Sequence, residues 1–120
     1  MLNFFRRLKL RLIWSWAGCM FAWRNEHSFR SWVWANLASA SLALWLPLTS
    51  GERGLILALG ILVMAFELLN TAVEQVVDYI SEEQHPRAGA AKDCGSGAVF
   101  VSSLAAGATW LVVLWRLILG

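Results

Sequence analysis

The sequence predicts an all-α integral membrane protein, with an N-terminal amphipathic surface helix followed by three transmembrane helices. Three observations carry this expectation. Apolar residues make up 58% of 120 residues, eight residues are Trp, and the mean hydropathy is positive. Three apolar runs, 29–48, 54–80 and 88–119, are each long enough to cross a hydrocarbon core about 30 Å thick. Short polar stretches separate them. This composition excludes an ordinary soluble domain. The chain reads as one membrane domain, 1–120, without internal repeat or low-complexity tract. Three short helices bury little surface alone, so oligomerisation is expected.

In residues 1–23, Leu2, Phe4, Phe5, Leu8, Leu12 and Ile13 alternate with Arg6, Arg7, Lys9 and Arg11. Such a helix lies in the interface with its bases towards anionic lipid. A signal-peptide reading of Trp16-Ala17-Gly18-Cys19 fails. The apolar run after Arg11 is too short, and Trp16 stands where a small aliphatic residue is required. Residues 23–30 form a polar break holding Asn25, Glu26 and His27. The first span follows, with Trp32, Trp34 and Trp45 as interfacial anchors. Pro47, Thr49, Ser50 and Gly51 make the turn into the second span, 54–80. Residues 81–86 end that helix, Pro86 barring continuation, and the third span, 88–119, begins polar with Lys92, Asp93 and Ser96.

Basic residues set the topology. Arg6, Arg7, Lys9, Arg11, Arg24, Arg87 and Lys92 fall on one side, Arg53 and Arg116 on the other. The positive-inside rule then places the N-terminus and the 81–93 loop in the cytoplasm and the C-terminus outside. The expected location is the bacterial cytoplasmic (inner) membrane, as a multi-pass protein. Cys19 and Cys94 then both lie near the reducing side, where a disulfide is not expected. Small residues every four positions, Ala35-Ser39-Ala43 and Ala98-Ser102-Ala106, suit close helix packing.

The second span carries the unusual chemistry. Glu67, Asn70, Glu74 and Asp78 share one helical face. A charge at mid-bilayer costs about 2.5–3.5 kcal/mol, so the stripe needs a reason. Counting from Gly54, Glu67 lies roughly 20 Å into the core and Glu74 at roughly 30 Å, its far boundary. A site there can hold a lipid headgroup and a water-soluble molecule together. Glu26 and Glu74 can share a divalent cation that carries a nucleotide, since Mg²⁺ uses few protein carboxylates plus phosphate oxygens. Lys92, near a helix start, can offset charge on a transferring phosphoryl group. Glu67, the most poorly solvated acid, is the candidate general base for a lipid hydroxyl. No Gly-rich phosphate loop or soluble-kinase catalytic loop is present.

The run Glu67-Leu68-Leu69-Asn70, then Thr71-Ala72-Val73-Glu74, Val77-Asp78, Glu83, His85 and Ala91-Lys92-Asp93, closely resembles the prokaryotic diacylglycerol kinase family. The N-terminal part matches through Arg7, Ser15, Gly18, Asn25-Glu26 and Phe29. The resemblance implies a small three-span homotrimer, an ATP- and Mg²⁺-dependent lipid kinase that converts diacylglycerol to phosphatidic acid. The family includes undecaprenol kinases, so undecaprenol is the alternative acceptor. It implies Glu67 as base, Asn70 as an orienting group, and Glu26 and Glu74 as metal and nucleotide carboxylates. Lys92 and Asp93 fall at nucleotide phosphate and ribose positions, Glu83 and His85 at the adenine end. Arg7 falls at a surface-helix position touching nucleotide or lipid, and Ser96 near the lipid substrate. Trp14 occupies a nucleotide-side position where diacylglycerol kinases often have Tyr. Gln84-His85-Pro86 replaces a more polar loop, and the Glu67–Ala72 and His85-Pro86 wording is nearer the undecaprenol branch. No nucleic acid is implied.

Blander readings stand beside these. Asp78, Glu82 and Glu83 suit a solvated helix end, His85 a loop, and Glu26 a helix N-terminus. Lys92 suits a snorkelling anchor. An ion- or proton-coupled transporter would also put acids in a span, yet 55–66 offers no polar path. A purely structural subunit leaves Glu67 and Glu74 unexplained.

Overall fold

The computed structural model describes all 120 residues as four helices and no strands. They are α1 (Leu2–Asn25), α2 (His27–Trp45), α3 (Ser50–Ile80) and α4 (Pro86–Leu119). The expected polar break at 23–30 is much shorter than the sequence suggests. Helix runs to Asn25 and resumes at His27, and Glu26 alone is extended, at φ −116° and ψ 110°. That one residue separates an amphipathic helix, α1, from one that is not, α2. Arg30 holds the corner, its Nη1 donating to the Trp23 carbonyl at 2.6 Å.

The other boundaries follow local chemistry. A capping box opens α3: Glu52 N–H donates to Thr49 Oγ1 at 3.1 Å, and Thr49 N–H donates to Glu52 Oε1 at 2.8 Å. This places the start of α3 four residues before the expected Gly54. Pro86, expected only as a stop, is also the first residue of α4, where its missing N–H costs nothing. His85 caps that helix, Nδ1 accepting from Arg87 N–H at 3.1 Å.

The helix α3 is central and packs against both α2 and α4, while α1 touches only α2 and α3. At 31 and 34 residues, α3 and α4 are long and apolar enough to cross a membrane. At 19 residues, α2 is shorter and is diluted by Ser28, Arg30, Ser31, Asn36, Ser39 and Ser41. At two places a glycine faces an amide of the neighbouring helix. Gly60 on α3 accommodates Asn36 of α2, and Gly95 on α4 accommodates Asn70 of α3.

The apolar core is small and lies at the α2–α3 turn, formed by Ala43, Leu48, Ile56 and Val113. The chain exposes 9071 Å² and buries only ten residues. A compact monomer of this mass exposes roughly 6,500 Å². The excess is apolar helix surface, including Leu62, Leu69, Phe100, Leu104, Leu111 and Trp115. In a membrane, lipid or further protein covers such faces.

Candidate active site

The polar stripe of α3 is divided between two neighbours. Glu67 is 3% exposed and turns to α2, where Ser28 Oγ donates to its Oε2 at 3.2 Å. Two turns further on, Glu74 faces Glu26 at the α1–α2 corner. Burial pushes the Glu26 carboxyl above its ordinary range, and the Glu74 carboxylate pushes it further. Asn70 lies between the acids but points to α4. Its Nδ2 donates to Glu74 Oε1 at 3.4 Å, and its Oδ1 sits against Gly95. A Cβ at position 95 would stand 2.5 Å from that oxygen, so any larger residue there must displace the amide. Asn70 Oδ1 is the one fully buried side-chain polar atom without a hydrogen-bond partner. An orphaned buried oxygen is costly.

The stripe ends in an ion pair. Asp78 Oδ1 lies 2.6 Å from Lys92 Nζ, joining α3 to α4. Asp78 stays exposed, as its solvated reading expects, and the pair gives it and Lys92 a partner on the neighbouring helix. Beyond the pair, the α3–α4 loop and its flanking turns frame an open cleft of about 520 Å³. Asp78, Glu83, His85 and Lys92 line it. The structure thus gathers the sequence-expected nucleotide residues of the loop into one hollow. Glu26, Glu67, Asn70 and Glu74 are not among its lining residues.

Other expected residues are not brought in. Arg7 and Trp14 are exposed on α1, Asp93 is exposed outside the cleft lining, and Ser96 is exposed on α4. No cluster of three or more His, Cys, Asp or Glu side chains is present, so the acids at the corner are a pair. Ser28 was absent from the sequence reading. It is 39 residues from Glu67, and a lone serine beside an arginine-rich polar break carries no signal.

The stripe thus joins a buried acid, a carboxylate pair and a polar cleft along one helix. The prokaryotic diacylglycerol kinase family model matches residues 13–114. The chain belongs to the prokaryotic diacylglycerol kinase family. It is similar to the diacylglycerol kinase of Escherichia coli K12, 43% identical over 101 residues, covering 84% of this chain and 83% of that one. The Pseudomonas aeruginosa PAO1 diacylglycerol kinase is 41% identical, with 82% of this chain and 80% of that one aligned. The Helicobacter pylori diacylglycerol kinase is more distant at 34%, but aligns over 97% of this chain and 84% of its own. Membership makes the protein a lipid kinase and implies ATP as co-substrate. Every expected site residue except Arg7 falls within the matched stretch.

Proposed function

We propose that this kinase transfers the γ-phosphoryl group of Mg²⁺-ATP to the hydroxyl of diacylglycerol, giving phosphatidic acid and ADP. The observation that carries the reading is Glu67. It is a buried carboxylate within a membrane-competent helix, two turns from the Glu26–Glu74 pair. An acceptor with its chains in lipid reaches that depth; a nucleotide reaches the cleft side. Glu67 takes the hydroxyl proton as the acceptor oxygen bonds to the γ-phosphorus and the bridge to ADP breaks. About 10–11 Å of helix axis separates Glu67 from Glu74, a span that extended side chains and a phosphoryl group bridge.

Glu26, Glu74 and the Asn70 amide fit a magnesium–nucleotide complex. Their donors are hard oxygens, the two acids repel each other, and Asn70 Oδ1 lacks a partner. When bound, Mg²⁺ neutralises phosphate charge as the phosphoryl group moves. Lys92 supplies positive charge from the α4 side, with Asp78 keeping it at the cleft. Glu83 and His85 line the same cleft on the adenine side, with Asp93 beyond it towards the ribose. Arg7, Trp14 and Ser96 reach the site only if α1 and α4 meet the nucleotide and lipid across a subunit boundary. The uncovered apolar faces support a homotrimer. The basic excess of residues 1–24 supports an N-terminus in the cytoplasm of a bacterial inner-membrane protein, three spans and an external C-terminus.

The test uses purified protein in mixed micelles with ATP and Mg²⁺, offering diacylglycerol and undecaprenol in parallel. Phosphatidic acid as the main product, lost on adding EDTA, is the expected result. Undecaprenyl phosphate as the main product reassigns the acceptor and keeps the chemistry. ATP consumption indifferent to either lipid overturns the reading.

A further inference from the structure

We propose that Ser28 is a positioning residue for phosphoryl transfer. Its hydroxyl fixes one oxygen of Glu67 so that the other is presented to the acceptor hydroxyl. The inference rests on Glu67 being the base.

The contact is unusual within this chain. Ser31, Ser41, Ser102 and Ser103 each donate to a carbonyl of their own helix, at His27, Leu37, Val99 and Phe100. That is the ordinary fate of a serine within an apolar helix. Ser28 instead donates across an interface, to Glu67 Oε2. Its place explains why. It is the second residue of α2, and Glu26, the N-cap, makes no side-chain cap. The helix carbonyl four residues back belongs to α1, beyond the corner, so the hydroxyl is free to reach α3. A serine has one proton to give. Given to Oε2, it fixes the rotation of the carboxylate. Trp32, one turn along α2, also interacts with the carboxylate. Ser28 is the side chain whose hydroxyl reaches the proposed base across the α2–α3 seam. Misplacing a reacting group by about 1 Å can cost on the order of 100-fold, so one such contact matters to rate.

The Glu26 corner gives Ser28 a second consequence. The residue that separates the two helices also sets where Ser28 sits, so the base is oriented from the same turn that carries the metal carboxylate. Loss of the hydroxyl should leave nucleotide binding alone and affect only the transfer step.

The experiment compares Ser28→Ala, Ser28→Cys and Ser28→Thr in the full chain in detergent with diacylglycerol. Ser28→Ala is expected to lower kcat by about three- to tenfold, with KM for ATP within about twofold of wild type. Ser28→Thr, which keeps the donor, should restore at least about half of kcat; Ser28→Cys, a weaker donor of similar shape, should fall between. Added to Glu67→Gln, Ser28→Ala should cost nothing further, because both act through one group. Wild-type kcat in Ser28→Ala overturns the inference while leaving Glu67 as base. An equal loss in Ala, Cys and Thr variants, with KM for ATP raised, makes Ser28 structural. A fully active Glu67→Gln overturns the parent reading instead.

Discussion

The two ends of the helical bundle treat polar groups in opposite ways. At the α2–α3 turn, both arginines are engaged. Arg116 pairs with Glu52 through both its Nε and Nη2, at 2.7 and 2.6 Å, and Nη2 also reaches the Pro47 carbonyl at 3.3 Å. Arg53 donates to the Ala43 and Leu46 carbonyls, at 2.7 and 3.2 Å, covering the end of α2. Trp110 on α4 donates to Ser39 on α2 at 2.8 Å. The only apolar core cluster lies here. At the α3–α4 end, acids face acids, Asn70 Oδ1 has no partner, and buried Glu67 meets only neutral donors. Satisfied polar groups hold a fold, whereas incompletely satisfied ones hold a place for a ligand. The first end is a clamp and the second a site.

The largest expected effect comes from breaking the site's charge. Glu26→Gln and Glu74→Gln keep shape and remove metal-binding oxygens. Each should abolish measurable lipid phosphorylation, while size-exclusion chromatography in detergent shows an unchanged oligomer. Because the two carboxylates repel each other, either substitution should also leave the protein at least as resistant to heat as wild type. Wild-type activity in either variant would remove the metal site. Next comes Glu67→Gln, expected to lower kcat by about 100-fold with KM for ATP nearly unchanged. A collapse of ATP affinity with turnover preserved at saturation would make Glu67 a nucleotide ligand.

The clamp should respond in the reverse sense. Arg53→Ala removes two charge-assisted hydrogen bonds to the end of α2 and should cost about 1.5–3 kcal/mol of stability. Arg116→Ala, whose partner pair is more exposed, should lower Tm by less. Both should retain most of their kcat at a temperature where they are folded. A loss of kcat without a loss of Tm in Arg53→Ala would mean that the two ends are coupled.

Much of this contrast is visible in the sequence. The stripe at Glu67, Asn70, Glu74 and Asp78 follows from helical spacing, and its rarity follows from the cost of acids in lipid. Apolar runs locate α3 and α4 to within a few residues. The corner at Glu26 is poorly legible, because Asn25, His27 and Ser28 suit a loop by propensity although they lie in helices that tertiary contacts stabilise. Which neighbour each stripe residue meets is not encoded locally. Ser28 with Glu67, Gly95 with Asn70 and Lys92 with Asp78 all depend on how helices distant in sequence are set against α3. Asp78 shows the consequence: alone at a helix end it reads as solvated, and its partner lies on the next helix. The clamp is hidden for the same reason, since Glu52 and Arg116 are 64 residues apart.

The smallest effect makes the sharpest comparison, because the two ends contain one matching contact each. Gly60 faces Asn36 across α2 and α3, and Gly95 faces Asn70 across α3 and α4. Alanine at either position gains about 0.8–1.0 kcal/mol of helix propensity over glycine. It also displaces the opposing amide, which lies at the end of a side chain that can swing away. Asn36 would risk its hydrogen bond to the Trp32 carbonyl, now 2.9 Å, worth about 1 kcal/mol. These terms nearly cancel, so Gly60→Ala should shift stability little and leave kcat unchanged. Gly95→Ala should balance similarly in stability, but the amide it moves is Asn70, whose hydrogen bond to Glu74 is already long at 3.4 Å. Turnover should fall by about three- to tenfold, and shortening Asn70 as well, in Gly95→Ala/Asn70→Ser, should relieve the crowding without restoring rate. Thermal melts and kcat measured side by side decide it. Equal kinetic losses in both glycine variants would mean that helix spacing, and not the amide at the acid pair, sets the rate.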